Sequence, residues 1–224
     1  RGRKAQRRHR RRQKAGDIVK LAHFDLDSVL ELVPGKVNVL VVEDEQLFWN
    51  YCNQLFSQIN GGEGGFCLSD KEENLSFSQN CFFVWDYFSL PVNDKKTVGK
   101  LYKSLQEIAQ NSFPQEYDAL CTAFATFFSK LNSQSDCAIT YNMETGVANL
   151  FKAFDVALEG ADSLLESLCL FLQSKAHFFG TKCFFMCNLK TVLSKQQLAQ
   201  LYREAELWGI CLFLLENTVK EKLP

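Results

Sequence analysis

Residues 36–44 (KVNVLVVED) form a continuous apolar, β-branched run, entered after Pro34-Gly35 and left at an acidic pair. Unbroken rather than alternating apolarity predicts a strand buried on both faces, as in the middle of an α/β sheet. The mixed stretch before it, residues 20–32, suits an edge strand or hairpin. Residues 46–59 place Leu47, Tyr51, Leu55 and Ile59 on one helical face, and the glycine-rich run 61–65 breaks that helix. Residues 66–69 and 81–86 (CFFVWD) are further strand candidates. From 93 to 175 the pattern turns helical. Helices are predicted over 97–109, from Pro114 to about 131, over 145–158 and over 161–174, with a polar loop at 133–136 and an ambiguous stretch at 138–143. A strand at 181–187, a helix at 195–207 with Ser194 as N-cap and Gly209 as stop, and a strand at 210–215 then restore the sheet pattern. Strand, helix and strand at this spacing read as a parallel unit. The expected architecture is an α/β head built from both ends of the chain, residues 19–92 and 176–224, with an all-helical insertion at 93–175.

Charge changes this picture at one end. The 224 residues carry a formal charge of -1, but residues 1–16 hold seven Arg, two Lys and no acid. The rest of the chain is therefore strongly acidic, with Arg203 as its one arginine. The basic segment 1–18 is expected to be either a disordered, phosphate-neutralising arm or not a native part of the protein. No run of about 18 apolar residues exists, so no transmembrane helix and no membrane partner are expected. The nine cysteines are an odd number and lie mostly in apolar runs, which suggests reduced, buried side chains in a cytoplasmic protein. Cys183 and Cys187, four apart on a strand, stand roughly 13 Å from each other and cannot share a tetrahedral metal.

Motifs for catalysis are sparse. A phosphate loop needs G-x-x-x-x-G-K-[ST] after the first core strand, so that backbone amides and a lysine surround the phosphates. Here that position reads Glu43-Asp44-Glu45-Gln46-Leu47-Phe48, and its carboxylates would repel a triphosphate. Asp86, ending the run 82–86, could hold magnesium in a nucleotide-dependent enzyme, or simply cap the end of a buried strand. Beyond the basic tail, His23 and His177 have no Ser or Cys elbow beside them, and His177 suits a helix C-terminus.

The cations of the body say more. Lys95, Lys96, Lys100 and Lys103 cluster where the helical region begins, and Lys96, Lys100 and Lys103 fall at i, i+4 and i+7, opposite or beside Val98, Leu101 and Leu105. Such a stripe can follow a phosphate backbone without reading bases, and a symmetric oligomer would multiply its field. The alternative is an ordinary solvated helix face. Asp136, Glu144, Asp155, Glu159 and Asp162 flank the ambiguous stretch, but no EF-hand loop organises them.

Residues 37–48 (VNVLVVEDEQLF), 182–198 (KCFFMCNLKTVLSKQQL) and 208–216 (WGICLFLLE) together resemble the small accessory protein of type II-A CRISPR loci, the fourth member of the spacer-acquisition operon. The resemblance spans about residues 19–217. It implies a degenerate P-loop-like (RecA/Rossmann-like) head that has lost its phosphate loop, with a helical leg. It further implies a non-enzymatic homotetrameric ring that binds double-stranded DNA ends without sequence preference during CRISPR adaptation. The DNA-facing residues would be Lys95, Lys96, Lys100 and Lys103. Calcium binding is implied as well, with Asp136 and Glu144 as its ligands, whereas no nucleotide is expected. The implied partners are the CRISPR integrase complex and the RNA-guided effector nuclease, and a protein-interaction scaffold is the companion reading.

Overall fold

The computed structural model describes residues 18–71, 73–142 and 147–219; the basic segment up to residue 17 lies outside them. The elements in chain order are β1 (Val19–His23), β2 (Leu30–Leu32), β3 (Val37–Val41), α1 (Glu45–Ile59), β4 (Phe66–Asp70), β5 (Glu73–Asn74), α2 (Phe77–Asn80) and β6 (Cys81–Val84). They continue with α3 (Lys95–Ser112), α4 (Pro114–Gln134), α5 (Ala148–Ala153), α6 (Leu164–Phe179), β7 (Cys183–Cys187), α7 (Leu189–Val192), α8 (Lys195–Trp208) and β8 (Cys211–Glu216). The fold is mixed α/β and divides into two compact units. One contains the described residues up to Leu90 and from Ala161 onward; the other is Pro91–Gly160.

The first unit holds two sheets. The hairpin β1–β2 is antiparallel and extends through β4 and β5, giving the order β2-β1-β4-β5. The second sheet is parallel throughout, in the order β3-β8-β7-β6. Its side chains alternate as a pleat requires. Cys183, Phe185, Phe213 and Leu215 join α1 and the antiparallel sheet in one core that includes Leu21, Leu32, Tyr51, Leu55, Phe66 and Leu68. Phe82 on the opposite face meets Phe171 of α6, ring centroids 5.1 Å apart, and α8 packs beside α6.

Three of the sequence expectations need correction here. The run at 36–44 does form a strand, but β3 is an edge of the parallel sheet and Val39 is 42% exposed. The strands buried on both faces are β7 and β8. An apolar run reports a tendency to bury, and which strand has neighbours on both sides is decided by pairings more than a hundred residues away. The helix expected over 145–158 is short, covering Ala148–Ala153 within the described residues. The chain turns at Asp155, whose φ of 48° lies in the left-handed region that ends helices. In addition, α6 belongs to the sheet-bearing unit rather than to the helical one. Leu168, Phe171 and Leu172 are fully buried, and the Lys175 ammonium sits 5.1–5.8 Å from the ring centroids of Phe82, Phe171 and Phe179.

Local rules fix the second parallel connection as read from sequence. Ser194 caps α8 in a reciprocal box with Gln197, and Gly209 at φ 65° ends it. Cysteine burial is mixed: Cys81, Cys183 and Cys211 are buried, whereas Cys67 and Cys137 are exposed. All nine are free thiols.

Candidate nucleic-acid interface

The second unit begins at α3. Asp94 caps the helix, its Oδ1 accepting from the Lys96 and Thr97 amides at 2.8 and 2.9 Å. The Thr97 hydroxyl donates to the other carboxylate oxygen at 2.9 Å, and Thr97 is fully buried. A helix start favours acids, because the unpaired amides carry positive charge there. The first turn of α3 instead holds Lys95 and Lys96 and no acid. That placement costs about 0.3–1 kcal/mol per cation at low ionic strength. The Asp94 carboxylate, bonded to the amides at the same end, offsets part of that positive charge.

All four predicted lysines are exposed. At 100° per residue Lys96, Lys100 and Lys103 share one face, opposite Leu101 and Leu105, and the stripe runs about 10 Å along the axis. That length matches about three phosphates of one duplex strand at 3.4 Å per step. Lys95 stands to one side. Glu107, one turn beyond Lys103, closes the stripe with an opposite charge.

The stripe has a member that sequence reasoning missed. Helix α5 packs against α3, with Tyr102 and Phe151 centroids 6.0 Å apart. Between them lies a cleft of about 500 Å³ lined by Lys103, Tyr102, Gln106 and Glu107 from α3 and by Asn149 and Lys152 from α5. Lys152 thus joins Lys103 at one cleft. The only signal in the sequence was a lone cation on a short helix, and nothing there told which helix α5 would face.

The other candidates take ordinary roles. Asp44 occupies the N-terminus of α1, its Oδ1 accepting from the Leu47 amide at 2.7 Å. The place where a phosphate cradle would follow β3 is therefore filled by the chain's own carboxylate, flanked by Glu43 and Glu45. Asp86 is exposed and caps a turn, accepting from the amides of Phe88 (2.9 Å) and Ser89 (3.2 Å). His177 lies in the last turn of α6. His23 is buried in β1, bonded to Gln54 at 3.1 Å and accepting from the Asp25 amide.

Of the two carboxylates expected to bind calcium, Glu144 lies outside the described residues and Asp136 is exposed after α4. The neighbouring Asn132 oxygen already accepts from the Ile139 amide at 2.9 Å. Among the described residues no three His, Cys, Asp or Glu side chains are grouped to hold a metal ion. Calcium takes six to eight oxygens, of which the Asp136 side chain supplies at most two. Nor is any helix among the described residues long and apolar enough to cross a membrane.

Comparison with known proteins adds a family. The model of the family described as CRISPR-associated protein (Cas_Csn2) matches residues 58–224. No curated protein matches the chain. Among solved structures, the ADP conformation of MJ1267, an ATP-binding cassette of an ABC transporter, is 10% identical over 92% of this chain and 83% of that chain, with a TM-score of 0.44. The twinned structure of the same cassette gives 11% identity, the same coverage and the same score.

Proposed function

We propose, on the premise that the chain belongs to the CRISPR-associated Csn2 family of type II-A accessory proteins, that it is a non-enzymatic clamp on double-stranded DNA ends that serves spacer acquisition. The observation that carries this reading is the exposed lysine stripe of α3, continued by Lys152 across the α3–α5 cleft. Lysines spaced along a helix act as point charges on phosphates and read no bases, so binding ignores sequence. A homotetrameric ring repeats the stripe around the duplex, and linear ends admit the DNA into it. The sheet-bearing unit is a P-loop-like head without its phosphate loop, and Pro91–Gly160 is the core of the leg. The acidic junction Glu43-Asp44-Glu45 supports the absence of nucleotide turnover, because carboxylates at a helix N-terminus oppose a triphosphate. The integrase complex and the RNA-guided nuclease of the same locus are the protein partners.

The test is a gel shift with linear and covalently closed circular DNA of one sequence, with and without residues 1–18. Linear DNA retained and circular DNA excluded is the expected result. Equal affinity for both forms, or a monomeric solution mass, refutes the clamp. ATP or GTP hydrolysis that is lost in Asp86→Ala would replace it with an enzyme.

A further inference from the structure

Outside the lysine stripe, two thiols on different elements of the sheet-bearing unit meet. Cys52 lies midway along α1 and Cys187 is the last residue of β7, 135 positions later. Their sulfurs are 3.1 Å apart, and both side chains are half-buried, within reach of a small oxidant. A disulfide needs a further closure of about 1 Å. Both residues pack against the edge of the core, and the Tyr87 hydroxyl donates to the Cys187 carbonyl at 2.8 Å, fixing the end of β7.

We propose that Cys52 and Cys187 form a reversible dithiol–disulfide couple, a modification site that fastens α1 to the C-terminal end of β7. The two thiols divide the labour. The hydrogen bond between the two sulfurs holds the Cys52 thiol below its ordinary value, while the same contact and burial push Cys187 up. Cys52 is thus the attacking thiolate. With a peroxide as oxidant, its sulfur attacks one oxygen, the O–O bond breaks, and hydroxide leaves with a proton as water. The sulfenic acid formed on Cys52 is then attacked by the Cys187 sulfur, whose proton departs with the second oxygen as another water. Two thiols and one peroxide give one disulfide and two waters, and a thiol reductant reverses the result. The remaining cysteines are placed differently. Cys81, Cys183 and Cys211 align in register across three strands but are sealed in the core, Cys121 and Cys169 are half-buried on α4 and α6, Cys67 is exposed on β4, and Cys137 is exposed after α4.

The experiment treats the full chain with hydrogen peroxide, quenches it, and maps its peptides without reduction. Fragmentation must separate Cys52 from Cys67 and Cys187 from Cys183. The expected product is a Cys52–Cys187 linked pair lacking two hydrogens, with free thiols falling from nine to seven and recovering after dithiothreitol. Cys187→Ser should leave a sulfenic acid on Cys52 that dimedone traps, and Cys52→Ser should leave Cys187 unmodified. Oxidation of Cys67 or Cys137 while Cys52 and Cys187 stay reduced, or a link that forms only in denaturant, overturns the proposal. The wild-type map decides even where a variant fails to fold.

Discussion

Replacing Lys96, Lys100 and Lys103 together by alanine removes the stripe and leaves Lys95 and Lys152. Each phosphate contact contributes about -0.9 to the slope of log affinity against log salt. Five contacts per engaged chain give a slope of about -4.5, so raising salt from about 50 to about 200 mM weakens the intact protein roughly 500-fold. The variant, with two contacts left, weakens only about 12-fold over the same range. Subunits that bind together multiply both slopes without changing their ratio. Fluorescence anisotropy with a labelled linear duplex across a salt series reads the slopes directly. The chain should be compared with and without residues 1–18, because nine tail cations would otherwise mask the change. The three side chains are exposed and bonded to nothing that holds the fold, so thermal stability should move by no more than about 0.5 kcal/mol. An unchanged slope in a folded variant lacking the tail would refute the assignment of α3 to the phosphate backbone.

Three further outcomes follow from the packing. Asp94→Ala strips the cap of α3 and one partner of buried Thr97; it should destabilise by about 1–2 kcal/mol in denaturant titration, and no loss would mean that α3 starts elsewhere. Phe213→Ala empties the centre of the sheet core and should cost about 3–5 kcal/mol or prevent folding, measured by the urea midpoint. Cys169 is pushed up to about 11, first by burial and then by Glu204 and Glu166, from an ordinary value of 9.0. Between those two values the unfolded chain releases this proton before the folded one does, so stability should fall as pH rises through that window. Cys169→Ala should flatten that part of the melting-temperature profile, and an unaltered profile would count against the raised thiol.

Much of the fold was legible because it is local. The apolar face of α1, the Ser194–Gln197 box and the Gly209 stop of α8 are decided within a few residues, and the structure has them where the pattern put them. Three features were not legible, and each depends on distant partners. The edge position of β3 depends on β8, which pairs Val37 with Leu212. The allegiance of α6 depends on Phe82, which no periodicity links to Phe171. Lys152 joins the lysine stripe only because α5 turns toward α3. The α3 lysines themselves could be read as a face, since i, i+4 and i+7 spacing is a property of one helix. That the first turn carries two lysines was visible in the sequence, and the structure sets the capping Asp94 carboxylate beside them.

The order of strands in the parallel sheet also sets a schedule for biosynthesis. Strand β8 lies between β3 and β7, yet it is the last of the four to leave the ribosome. At 5–20 residues per second, roughly 10–35 s separate the emergence of residue 41 from that of residue 216. Throughout that interval β3 has no strand to lie beside in its own sheet, and its apolar edge is open to chaperones or to a neighbouring nascent chain. Translation speed through the last third of the message should therefore govern the yield of native protein more than speed through the first.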